Sequence, residues 1–89
     1  MAQHSNAALR KQIGQRLREL RQREGITSQE SLAEKAGVHR TYMGRLERGE
    51  SGVTVEALAA ILAALRVSLA EFFQDFERVI RPRTPRRRG

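Results

Sequence analysis

Apolar residues recur every three or four positions through most of this chain, the spacing of an amphipathic helix. Leu9, Ile13, Leu17 and Leu20 form one such stripe, with Arg10, Lys11, Arg16, Arg18, Arg21 and Arg23 on the other faces. They predict a first helix from Ala7 to about Glu24, capped by Asn6 or Ser5 and ended by Gly25 with Ile26 packing back over it. Thr27-Ser28-Gln29-Glu30 opens a second helix. Thr27 has capping-box spacing to Glu30, and Ser28 is the alternative cap. Leu32, Ala33 and Ala36 are its inner face, and Gly37 breaks it. Val38, Met43 and Leu46 point a short third helix inward from a start near His39 to an end at Gly49. Arg40, Thr41, Gly44, Arg45 and Arg48 are left outside. Thr54 caps a fourth helix through about Leu65, with Leu58, Ile61, Leu62 and Leu65 inside and Val67 filling the next turn. Ser68 and Glu71 form a capping box for a fifth, expected to run to roughly Val79. Leu69, Phe72, Phe73, Phe76 and Ile80 line up along it. No stretch alternates like a strand, so the fold class is all-α with five helices.

Composition narrows this picture. At 89 residues the chain is one domain with one modest core, and with 4% aromatic residues that core must be largely aliphatic. It has no cysteine, which excludes disulfides and thiolate metal sites. Its longest mostly apolar run, Ala57 to Leu65, is too short to span a bilayer. Met1 to Asn6 lack the character of a signal peptide, and a cytoplasmic protein is expected, nucleoid-associated if it binds DNA. The net charge is +7. Five of the 17 basic residues sit in a Pro-interrupted tail (Arg81, Arg83, Arg86, Arg87, Arg88), leaving 12 against 10 acids elsewhere. Three segments are expected: a flexible N-terminus at 1–6, a folded domain at 7–80 and a disordered basic tail at 81–89. The tail is read equally well as a phosphate-following arm or a solvated end.

Two short helices joined by a Gly-containing turn form the helix-turn-helix pattern. The third helix exposes guanidinium groups, a hydroxyl and a gap at Gly44, and so suits a DNA groove. No nucleophile–base pair, Gly-rich phosphate loop or metal cluster is visible, so neither an enzyme nor a cofactor is expected. Nor is a membrane or small-molecule partner.

The stretch from Leu17 to Phe73 resembles the lambda-repressor-like (Cro/CI, XRE) DNA-binding domains. The residues that carry the likeness are Leu17-Arg18-Glu19-Leu20-Arg21, Gln29 through Val38, Leu46-Glu47-Arg48-Gly49, and Leu65 through Phe73. Arg40-Thr41-Tyr42, Glu47-Arg48, Val53-Thr54-Val55, Val67-Ser68 and Phe72-Phe73 look further like the controller proteins of restriction–modification systems. Two departures stand out. The connection Gly25-Ile26-Thr27-Ser28-Gln29 is one residue longer than usual, and Gly49-Glu50-Ser51-Gly52 follows Glu47-Arg48 where an Arg or Asn is common, with Glu50 expected to repel phosphate.

The resemblance implies a sequence-specific transcriptional regulator that binds double-stranded DNA as a homodimer on a palindromic operator. It implies DNA contacts at Gln29, His39, Arg40, Thr41, Tyr42, Gly44, Arg45 and Arg48. Arg40 and Arg45 are the expected base readers, through the bidentate bond that arginine makes with guanine. Tyr42 is open between the core edge and the DNA backbone. Arg21 and Glu47 are expected to form a structural ion pair. Phe72, Phe73, Phe76, Val79 and Ile80 exceed what a small core needs and are expected at the dimer interface. An antitoxin-type module, binding a toxin and its own promoter, is the alternative function.

Overall fold

The computed structural model describes residues 6–74 and 76. The expectations for the N-terminal five residues, for Val79 and Ile80 and for the arginine tail lie outside them. Among the described residues the chain forms five helices and no strand: α1 (Ala7–Arg23), α2 (Gln29–Ala36), α3 (Arg40–Glu47), α4 (Val55–Leu65) and α5 (Leu69–Phe73). None is long and apolar enough to cross a membrane.

Each start is set by a side chain that accepts an otherwise unpaired backbone N–H. Asn6, Ser28, His39, Thr54 and Ser68 take these positions, and Ser68 with Glu71 completes a capping box. Of the two candidates for α2, Ser28 is the cap, its hydroxyl accepting from the Ser31 N–H at 3.0 Å. Each of the first four helices ends in the paired reverse bonds of a Schellman turn. At the end of α1, the Gly25 N–H reaches Gln22 O and the Ile26 N–H reaches Arg21 O, each at 3.0 Å. Three of these turns place glycine in the left-handed conformation, and α4 places Arg66 there, at φ 64°.

The apolar stripes converge on one core. Leu17, Leu20, Leu32, Met43, Leu46, Ile61, Leu62 and Leu65 are at most 1% exposed. The chain's three phenylalanines complete it. Phe72, Phe73 and Phe76 pack on one another with ring centroids 5.0–5.2 Å apart. This corrects the expectation drawn from the apolar fifth helix. Phe72 and Phe76 are buried inside a single chain, at 0% and 1% exposure, so neither side chain is on offer to a partner. A core with so few other aromatic residues uses them to close its end beyond α4. Among the described residues the exposed large apolar side chains are instead Val55 and Leu69, and Phe73 is half-buried. Described α5 ends at Phe73, with Gln74 as its cap, and the expected run to Val79 lies outside the described residues.

What ties α1, α2 and α3 together is polar. The expected pair of Arg21 and Glu47 is present and buried. Arg21 Nε donates to Glu47 Oε2 at 2.7 Å, and Arg21 Nη2 to Oε1 at 3.1 Å. Gln29 Nε2 of α2 donates to the same Oε1 at 3.1 Å. Arg18 Nε stands 3.8 Å from that oxygen. The remaining Arg21 nitrogen, Nη1, donates to Ile26 O at 3.1 Å, so the same guanidinium holds the longer connection between α1 and α2.

Gly14, which the apolar pattern does not single out, makes this arrangement possible. It is buried where α1 crosses the end of α3, and a Cβ there would run into the carbonyl oxygens of Leu46 and Glu47, the latter at 2.6 Å. Gly49 meets α1 in the same way, a Cβ there lying 2.9 Å from the Lys11 Cα. Backbone thus lies on backbone along the seam between α1 and the last turn of α3.

Two substitutions test this packing. Helix propensity alone favours Gly14→Ala by about 1 kcal/mol. The clash reverses the sign, and denaturant unfolding should show a loss of about 1–3 kcal/mol. Glu47→Ala leaves the Arg21 guanidinium buried without its counter-charge. It should cost about 3–5 kcal/mol by the same measurement, and an unchanged unfolding midpoint would contradict the buried pair.

Candidate nucleic-acid interface

The start of α2 and the outer face of α3 share one shallow, open groove. Ser28, Gln29 and Glu30 line it from α2, and Arg40, Thr41, Gly44 and Arg48 from α3. Five of the eight expected contact residues are therefore brought to a single concavity. The first-turn N–H groups of α2 have no acceptor within their own helix, and the positive end of the helix dipole points the same way. Guanidinium groups, a hydroxyl and backbone donors on one surface can bind phosphates and bond to base edges.

Each side chain has a definite setting. Gln29 is half-buried, and its amide nitrogen is committed to Glu47. It can offer an anion its backbone N–H and the second amide N–H, which carries no hydrogen bond among the described residues. Gly44 lines the groove and is itself buried. A Cβ on it would lie 3.0 Å from Gln29 Oε1 and 3.1 Å from Arg48 Nη1, so the missing side chain makes room for those two groups. The gap at Gly44 thus lies on the groove, with those two side chains beside it.

His39 caps α3, its Nδ1 accepting from the Thr41 N–H at 3.1 Å. That bond puts the proton of the neutral ring on Nε2. Thr41 is exposed, and its hydroxyl carries no hydrogen bond among the described residues. Tyr42 is half-buried and rests against the core, which leaves only part of the ring at the surface. Arg40, Arg45 and Arg48 are exposed.

Two acids that the sequence reading did not place on this face are part of it. Glu30 Oε1 lies 3.8 Å from Arg40 Nη1. Glu50 Oε2 accepts from Arg48 Nε at 3.1 Å. That hydrogen bond holds the Glu50 carboxyl below its ordinary range, and the nearby charges of Arg48, Arg45 and Lys11 add to the effect. Glu50, expected only to repel phosphate, thus sits among three basic side chains. Its neighbour Lys11 reaches this place from α1. Helical spacing alone could not reveal that, because the crossing of α1 over α3 depends on Gly14 and Gly49.

Known proteins agree with this architecture. A family model described as a helix-turn-helix domain matches residues 12–72. Control protein C.MunI from Mycoplasma sp is 36% identical over 66 residues, 74% of this chain and 89% of that protein. The crystal structure of the restriction-modification controller protein C.AhdI from Aeromonas hydrophila matches with a TM-score of 0.70 and 41% identity, over 74% of this chain and 98% of that one. The clp gene regulator ClgR from C. glutamicum matches with a TM-score of 0.69 and 32% identity, over 83% and 91% of the respective chains. The relatives are regulators rather than enzymes, and the chain belongs to the helix-turn-helix family of DNA-binding transcriptional regulators, close to the restriction-modification controller proteins.

Proposed function

We propose that this chain is a homodimeric controller-type regulator that reads a palindromic operator. The observation that carries the reading is the shared groove, which joins an α2 N-terminus to the outer face of α3. In the proposed complex the α2 N-terminus and Thr41 grip the backbone and set register. Arg40 and Arg45 reach base edges in the major groove. Each good bidentate contact discriminates by about 1–3 kcal/mol. His39 holds the first turn of α3 in place, Arg48 adds charge at its end, and the outer edge of Tyr42 faces the sugar–phosphate backbone.

The dimer face is reassigned from the buried phenylalanines to the surface beside them. Leu69 is 41% exposed and Phe73 half-buried on the same short helix. Pairing two copies through this end would set two α3 helices about 34–36 Å apart, one turn of DNA. An acid at Phe76 would be buried without a partner and would unfold the domain. Leu69→Asp is the informative change, because it charges a position already at the surface.

Selection of bound duplex from a random pool, at stated salt, should return a two-fold symmetric consensus with half-sites about 10–10.5 base pairs apart. No enriched sequence would contradict the reading. Leu69→Asp should remain folded by circular dichroism, sediment as a monomer and bind that consensus much more weakly. A folded variant that stays dimeric would reject this dimer face while leaving the reading of DNA intact.

A further inference from the structure

Two of the three arginines on the outer face of α3 already hold a carboxylate. Arg40, at the start of the helix, is paired with Glu30 of α2, and Arg48, just past its end, is paired with Glu50 of the following loop. Arg45, between them, makes no ion pair among the described residues. The four paired side chains are between 49% and 70% exposed. Ion pairs this open to solvent contribute little to folding. They do change what the groove offers to a polyanion. Each carboxylate competes with phosphate for one guanidinium and repels the phosphate itself.

The competition does not act equally on all DNA. On a matching sequence Arg40 is engaged by a base edge, so removing the Glu30 carboxylate adds no new phosphate contact. On any other sequence that base contact is missing, and a released Arg40 is free to swing to the backbone. Arg48 reads no base, so Glu50 screens its charge alike on every sequence. We infer that Glu30 is a specificity-determining residue that withholds Arg40 from phosphates and so suppresses binding to unselected DNA, while Glu50 weakens the hold of Arg48 on any DNA. This rests on the DNA-reading function proposed above.

The test compares Glu30→Gln, Glu50→Gln and the double variant with the unaltered chain. Binding is measured across a salt series to the selected operator and to an unrelated duplex of equal length. For the unrelated duplex, each substitution should steepen the slope of log K against log salt by about 0.9 and tighten binding about fivefold at ~0.15 M salt. For the operator, Glu30→Gln should change both by less than half as much, so the ratio of the two affinities falls, whereas Glu50→Gln should tighten both DNAs alike. The melting temperature should stay within about 1 °C, as expected for exposed pairs.

Unchanged binding to the unrelated duplex would overturn the inference. So would equal tightening on both DNAs by Glu30→Gln, or a weakened operator complex, which would mean that the acids position the arginines for reading. A variant that fails to fold would overturn it too, by making its acid structural. If the unaltered chain enriches no sequence at all, the function itself is at fault. If it enriches one and the variants behave alike, only the role of the acids is lost.

Discussion

The Glu47 carboxylate is the point on which the structure depends. Its side chain has no exposure to solvent, and it ends α3 against α1 and α2. A buried carboxylate is tolerable only when paired and fully hydrogen-bonded. Arg21 supplies two donors from α1, and Gln29 supplies one from α2. Three helices therefore have one relative position in which this charge is satisfied. Apolar packing alone is less restrictive, because a core of leucines can repack with modest loss. The backbone contacts at Gly14 and Gly49 bring α1 close enough for Arg21 to reach.

The groove is the outward side of the same arrangement. Gln29 faces inward with its amide nitrogen, while its backbone starts the helix that borders the groove. Gly44 leaves room for Gln29 and Arg48, so the inner network and the outer surface meet at a position without a side chain. A disturbance of the Glu47 cluster therefore moves both the start of α2 and the outer face of α3. In this architecture the stability of the fold and the geometry of the groove rest on the same few atoms.

Much of this was legible in the sequence, for physical reasons. Caps and glycine turns are local, and Ser28, His39, Thr54 and Ser68 sit at or beside the expected helix starts. Inward faces followed from spacing, and Met43 and Leu46 are buried as their pattern required. The Arg21–Glu47 pair came from resemblance to a family; no pattern within the chain relates positions 26 apart. What was misread depended on tertiary geometry. Five apolar residues on the fifth helix looked like more than one core could use, yet Phe72 and Phe76 fill it. Gly14 looked like an ordinary position between two stripe residues. Glu30 looked like only part of a helix cap and Glu50 like only a departure from the family pattern, because their partners are fixed by the angle between α2 and α3 and by the turn after Gly49.

The buried charge of Glu47 thus sets the geometry of the groove as well as the stability of the fold. Glu47→Gln tests it most directly, because the amide keeps the volume and most of the hydrogen bonds while removing the charge. Operator and unrelated-duplex affinities are measured at a temperature where circular dichroism shows the variant fully folded. Operator affinity should fall at least about tenfold while binding to the unrelated duplex changes little, since the outer charges are untouched. Full operator affinity in a folded Glu47→Gln protein would contradict it.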